Sequence, residues 1–204
     1  GLLADDTGES KWITGPAARQ DVQYGRARAC AIITGAGTVQ ADDPRLEVRL
    51  TPADLGLPDN MPLRQPLRVV LDSQARLGAR HRIWQVPGEA VQIVTTAPQT
   101  ARQVRLPAGP QGQVDLDALL HWLAVERQCN EVWVEAGPTL AGAFWQARRV
   151  DELLLYIAPC VLGDAARPLL RLPELTALTQ AARLQLVEQR TLGADLRLRA
   201  TVLS

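Results

Sequence analysis

Short apolar runs recur along the chain at Ala29–Thr34, Leu67–Leu71, Ala90–Thr96, Glu131–Glu135 and Leu153–Ala158. They are rich in Val, Ile and Leu and do not alternate strictly, which is the pattern of strands buried on both faces of a sheet. Leu184–Arg190 and Leu196–Val202 alternate better, and with Gly193 between them they predict a C-terminal hairpin with one wetter face. Helical spacing fills the gaps. Thr14-Gly15-Pro16 predicts a helix start with Pro16 in the first turn, running to about Arg28. Leu116, Leu119, Leu120 and Leu123 share one face of a helix over Asp115–Arg127, with Asp115 as its cap. Thr139–Ala147 predicts a short, well-buried helix and Glu174–Ala182 another short one. Thr51–Gln65 and Ala108–Gln113 lack periodicity and predict surface loops. Strands alternating with helices define an α/β fold with a mostly parallel sheet, to which the hairpin adds antiparallel strands at one edge.

Composition narrows the function more than the fold. The 204 residues, 47% hydrophobic and 22% charged, suit a single domain over 1–204 with a sizeable core. A formal net charge of +0 gives no electrostatic case for a nucleic-acid or membrane partner. No apolar run is long enough to span a bilayer, and Gly1–Glu9 has no leader pattern. Cys30, Cys129 and Cys160 lie far apart and read as reduced thiols, which points to the cytoplasm. His81 and His121 stand at no metal-ligand spacing, so no metal site is expected. No GxSxG and no Cys–His pairing suggests nucleophilic catalysis. Trp84, Trp122, Trp133 and Trp145 fall on apolar segments and read as core.

Three segments could carry chemistry. Val132-Trp133-Val134-Glu135-Ala136-Gly137-Pro138-Thr139-Leu140-Ala141-Gly142 reads as a buried strand, a glycine turn and an apolar helix. Such a turn can aim backbone N–H groups and a helix end at phosphate, although any α/β fold contains ordinary turns of this kind. Gly137 would permit close approach or a positive φ. Glu135 falls at the C-terminal end of its strand, where open α/β sheets place ligands. Thr34-Gly35-Ala36-Gly37-Thr38-Val39 reads as a second glycine turn, leading to Asp42, Asp43 and Pro44. Two such turns on neighbouring strands would share one crevice, suited to a dinucleotide. The third segment, Gly8-Glu9-Ser10-Lys11-Trp12-Ile13-Thr14, holds Lys11, the single lysine among 22 basic residues. Arg26 and Arg49 carry no local signal of their own.

Gly8–Thr14, Arg26-Ala27, Thr38–Leu46, Val70–Ser73 and Val134–Leu140 resemble, in order and at matching spacing, the reductase domain of bacterial riboflavin biosynthesis protein RibD. Tyr156–Pro159 and Leu162-Gly163 extend the resemblance. It implies a dihydrofolate reductase-like three-layer α/β/α fold, a cytoplasmic homodimer, and NADPH-dependent reduction of 5-amino-6-(5-phosphoribosylamino)uracil. It implies cofactor contacts at Trp12, Thr38, Asp42, Ser73 and a loop of Gly137, Pro138, Thr139, Leu140, Ala141, Gly142 and Ala143. Substrate contacts would be Ser10, Arg26, Leu46, Arg49 and Glu135. Lys11 is the candidate proton donor, with Glu135 or Asp42 orienting the ribosyl hydroxyls. The chain shows no HxE or PCxxC deaminase signature, so no deaminase domain is expected. In the family a strand precedes the Gly8–Thr14 segment, and the chain is expected to lack it. A reductase of the same fold acting on a pterin, and a non-catalytic NADP-binding or dimerising domain, are the alternatives.

Overall fold

The computed structural model describes residues 2–4, 13–163, 166–174, 176–177, 179 and 181–203. In chain order the elements are β1 (Leu2–Ala4), α1 (Pro16–Arg28), β2 (Ala31–Gly35), α2 (Ala36–Asp42), β3 (Leu67–Leu71), β4 (Ala90–Val94), β5 (Gln103–Arg105), α3 (Leu116–Val125), β6 (Val132–Val134), α4 (Pro138–Gln146), β7 (Glu152–Ile157), β8 (Arg167–Pro168), β9 (Leu184–Leu192) and β10 (Asp195–Val202). The chain divides into two compact units, 23–140 and 1–22 with 141–204.

The 23–140 unit is built on a five-stranded sheet in the order β5-β4-β3-β2-β6. Every neighbouring pair runs parallel. Ile32, Ile33, Val69, Val70, Ile93 and Val94 are 0% exposed, so successive residues are buried whichever face they point to. That two-sided burial is why the sequence shows runs rather than alternation. Ile32, Ala36, Val39, Leu46, Val70, Leu77 and Ile83 form one buried cluster. Arg68 is the exception inside β3. Its two terminal nitrogens donate to the carbonyls of Val86, Pro87 and Gly88, which answers most of a cation buried to 1% exposure and leaves only Nε without a partner. The C-terminal carbonyls of α1 are closed by Arg64, which donates to Ala27, Arg28 and Ala29 and places positive charge at the negative helix end.

The other unit holds a three-stranded antiparallel sheet, β7-β10-β9, and the antiparallel pair β1-β8. Gly193 at φ +67 closes the β9–β10 hairpin where the sequence placed it. On β10, Asp195 accepts the Gly15 N–H at 2.6 Å just before α1. Arg197 joins Asp21 at 2.9 Å to Glu188 at 2.6 Å, and the Tyr156 hydroxyl donates to Asp21 at 2.7 Å.

Several expectations need correction. Ala36–Asp42 is a helix and not an open turn, and neither Gly35 nor Gly37 lies at positive φ. The Leu153–Ala158 run, expected in the doubly covered sheet, is β7 of the antiparallel sheet and is only half-buried. Both faces of β9 are largely exposed, not one. Among its described residues, 174–182 forms no α-helix. The residues 103–105, with one apolar side chain between two polar ones, form a short edge strand that the pattern does not signal.

Asp115 caps α3 as expected, its carboxylate accepting the Ala118 N–H at 2.9 Å. Asp115→Ala should therefore lower stability by about 1 kcal/mol. Urea unfolding, with an unchanged m-value, is the check.

Candidate active site

β2 and β6 are parallel neighbours, so the segments that follow them leave the sheet at the same edge. The segments that follow the two strands do meet: the Gly137 N–H donates to the hydroxyl of Thr38, in α2, at 3.2 Å. Gly137 is not at positive φ. A Cβ there would make only ordinary contact with Thr38, at 3.7 Å, so the turn does not depend on a glycine conformation.

Glu135 follows β6 directly and holds the chemistry of this edge. Arg26, from α1, grips it with both prongs: Nε donates to Oε1 at 2.7 Å and Nη2 to Oε2 at 2.6 Å. The third guanidinium nitrogen donates to the Glu47 carbonyl at 3.2 Å. Trp133, two residues before Glu135 and therefore on the same side of the strand, donates its indole N–H to Oε1 at 2.8 Å. The Arg26 and Glu135 side chains are 13% and 24% exposed, so the pair sits in a poorly screened place. Burial works against the Arg26 charge, but the hydrogen-bonded Glu135 carboxylate and then Glu47 outweigh it and hold the guanidinium above its ordinary range.

The irregular segment after Asp43 is held by side chains acting as ladder partners. The Gln65 amide accepts the Val48 N–H at 2.8 Å and donates to the Val48 carbonyl at 3.0 Å. Gln23 accepts the Arg49 N–H at 3.0 Å. With the Arg26 contact to Glu47, three consecutive residues are fixed in the backbone. The Arg49 side chain stays exposed, and its guanidinium bonds to no other described residue. Leu46 lies at φ +49 and is 4% exposed, with its side chain in the core cluster.

The remaining candidates fall as follows. Asp42 ends α2, exposed, and its carboxylate forms no hydrogen bond to another described residue. Asp43 is a left-handed cap at φ 42 whose carboxylate accepts the Arg82 N–H at 2.9 Å, a structural task. The Ser73 hydroxyl accepts the Val114 N–H at 3.1 Å. Pro138, Thr139, Leu140, Ala141, Gly142 and Ala143 lie in α4, so of the expected cofactor loop only Gly137 precedes the helix, which begins one residue before the predicted Thr139. Gly142 packs against the backbone of Arg171, where a Cβ would not fit. Ser10, Lys11 and Trp12 lie outside the described residues. Gln23, Glu47, Gln65 and Trp133 were not candidates; the two-residue spacing of Trp133 and Glu135 was the one available signal. Among the described residues, no group of His, Cys, Asp or Glu could hold a metal ion. No helix there is long and apolar enough to cross a membrane.

A parallel α/β sheet with a carboxylate–guanidinium pair at its carboxyl edge, in a chain that also carries an antiparallel sheet, defines a reductase-type fold of the dihydrofolate reductase kind. The chain belongs to the RibD C-terminal domain family, whose profile matches residues 1–198. It is 46% identical to riboflavin biosynthesis protein RibD of Escherichia coli K12, covering 96% of this chain and 55% of that protein. It is 32% identical to the 5-amino-6-(5-phosphoribosylamino)uracil reductase of Buchnera aphidicola subsp. Acyrthosiphon pisum, covering 94% of this chain and 95% of that protein. The solved structure of Acinetobacter baumannii RibD superposes with a TM-score of 0.84 at 36% identity, over 100% of this chain and 55% of the other. The chain thus spans about half the length of the RibD proteins and nearly all of the Buchnera reductase.

Removing one partner from the pair strands a shielded charge. Arg26→Ala should destabilise by about 2 kcal/mol, below the cost at a fully buried pair because both groups keep some solvent. Arg26→Lys should recover less than half of that, since an ammonium cannot replace the two-pronged contact. Urea denaturation of both variants tests this.

Proposed function

We propose that this chain is a reductase of riboflavin biosynthesis, reducing 5-amino-6-(5-phosphoribosylamino)uracil to its ribitylamino product with NADPH. The observation that carries this reading is the match over 95% of the Buchnera reductase, a relative that this chain spans almost entirely.

The donor set suits a nicotinamide dinucleotide. The hydroxyls of Thr38 and Ser73 each accept a backbone N–H, which turns the hydroxyl proton outward for a phosphate or ribose oxygen. Thr38, Ser73 and residues 137–140 would hold the cofactor, with Trp12, Asp42 and residues 141–143 added by family resemblance. When bound, NADPH supplies the hydride. The substrate opens at its ribosylamine to an imine; the hydride adds to the sugar C1 and a proton reaches the nitrogen. Lys11 is the proposed proton donor, and Ser10 and the Leu46 backbone are proposed substrate contacts. Glu135, already ion-paired, accepts hydrogen bonds from ribosyl hydroxyls and orients the sugar. Arg26 is largely engaged by Glu135, so the substrate phosphate falls chiefly to Arg49. The enzyme's contribution is positioning and water exclusion.

Loss of reduced-nicotinamide absorbance on adding the phosphoribosylamino-uracil, with no loss on adding dihydrofolate, is the expected result. Arg49→Ala should raise KM at least tenfold while kcat changes less than threefold. Turnover of dihydrofolate, or an unchanged KM, would sink the respective assignments.

The chain is also read as a cytoplasmic homodimer. The edge strand β9 supports this, with Leu184, Leu186 and Val187 at 41%, 55% and 47% exposure. Sedimentation should give twice the chain mass for the native protein and the monomer mass for Leu186→Lys.

A further inference from the structure

We infer that Trp133 is a positioning residue for Glu135, seated for that task by Gly25 of α1. This rests on the reading of Glu135 as a substrate contact.

Glu135 presents about four acceptor positions on its two oxygens. Arg26 fills one on each oxygen, at 2.7 and 2.6 Å. The Trp133 indole N–H, at 2.8 Å, fills the second on Oε1. The remaining position is on Oε2, so the indole decides which oxygen a substrate hydroxyl meets. A neutral donor with one N–H suits this role, because it orients the carboxylate without adding charge.

The ring is closely seated on α1. A Cβ at Gly25 would sit 2.5, 2.7 and 3.0 Å from the ring atoms Cη2, Cζ3 and Cζ2. The far edge of the indole therefore lies against the bare backbone of α1. A glycine inside a helix weakens it relative to alanine, and here it opens the space the ring occupies. The side chain also packs against the buried cluster that includes Ile32 and Val70. Helix backbone, ring and carboxylate form one chain of contacts that ends at the proposed substrate position.

The test is a double-mutant cycle on the full chain with NADPH and 5-amino-6-(5-phosphoribosylamino)uracil. Trp133→Phe keeps an aromatic ring but removes the N–H together with part of the indole. It should lower kcat roughly tenfold, the loss of one hydrogen bond to a charged group, with NADPH affinity unchanged and a lower urea midpoint from the smaller ring. In a Glu135→Ala background the same change should alter kcat less than twofold. Gly25→Ala, which displaces the ring without touching its chemistry, should lower kcat similarly. Without substrate, the Trp133 indole N–H proton resonance should move when Glu135 becomes Ala. If Trp133→Phe costs less than twofold in the native background, or the same factor in both backgrounds, Trp133 does not act through Glu135. If Glu135→Ala leaves kcat and KM intact, the substrate reading of Glu135 fails and the inference falls with it.

Discussion

A carboxylate at the end of a short strand, its side chain only 24% exposed, sets the terms for the 23–140 unit. A charge in such a place must be paired and hydrogen-bonded, or its burial costs several kcal/mol. Glu135 is met by Arg26 from a helix and by Trp133 from its own strand. Arg26 then has one nitrogen left, and that nitrogen holds the carbonyl of Glu47. One compensated charge thereby ties a helix, a strand and an irregular segment together, though the pair joins residues 109 apart in sequence.

The irregular segment shows the same logic in uncharged form. Residues 47–49 pair with no strand, yet their backbone groups face the side chains of Gln65 and Gln23 and the guanidinium of Arg26. Glutamine carries both a donor and an acceptor on one amide, so Gln65 does for Val48 what a neighbouring strand would do. This fixes Arg49 in the backbone while its side chain stays free. A loop held by side chains can present a cation where a sheet would have required a packed residue.

The sequence was most legible where a single physical rule decided the outcome. β3 and the α1 boundaries follow from apolar runs and from Pro16, and Asp115 caps α3 because a short acceptor before a helix has few better uses. α2 was missed because Gly35 and Gly37 weigh toward a turn, while the residues between strand and loop have only a seven-residue helix to form. Val39 and Ala36 reach the core and tertiary packing overrides local preference. β7 was misplaced because, after Glu152, it is a continuous apolar run with nothing in it to reveal that the strand is only half-buried. Of the site, Glu135 was visible from its position after a strand. Arg26 was one arginine among many, and only the fold brings it to the carboxylate.

The pairing also constrains what the site can recognise on the proposed reading. A carboxylate engaged by a guanidinium accepts hydrogen bonds and donates none. It therefore favours ligand groups that donate, and sugar hydroxyls do so where ring carbonyls and phosphate oxygens do not. Arg26, whose positive charge is matched within hydrogen-bond distance, contributes little net field to draw in an anion. The exposed Arg49 has no such partner among the described residues and keeps its full attraction for a phosphate. Sugar recognition and phosphate recognition thus fall to different residues, separated by whether the charge is already answered inside the fold.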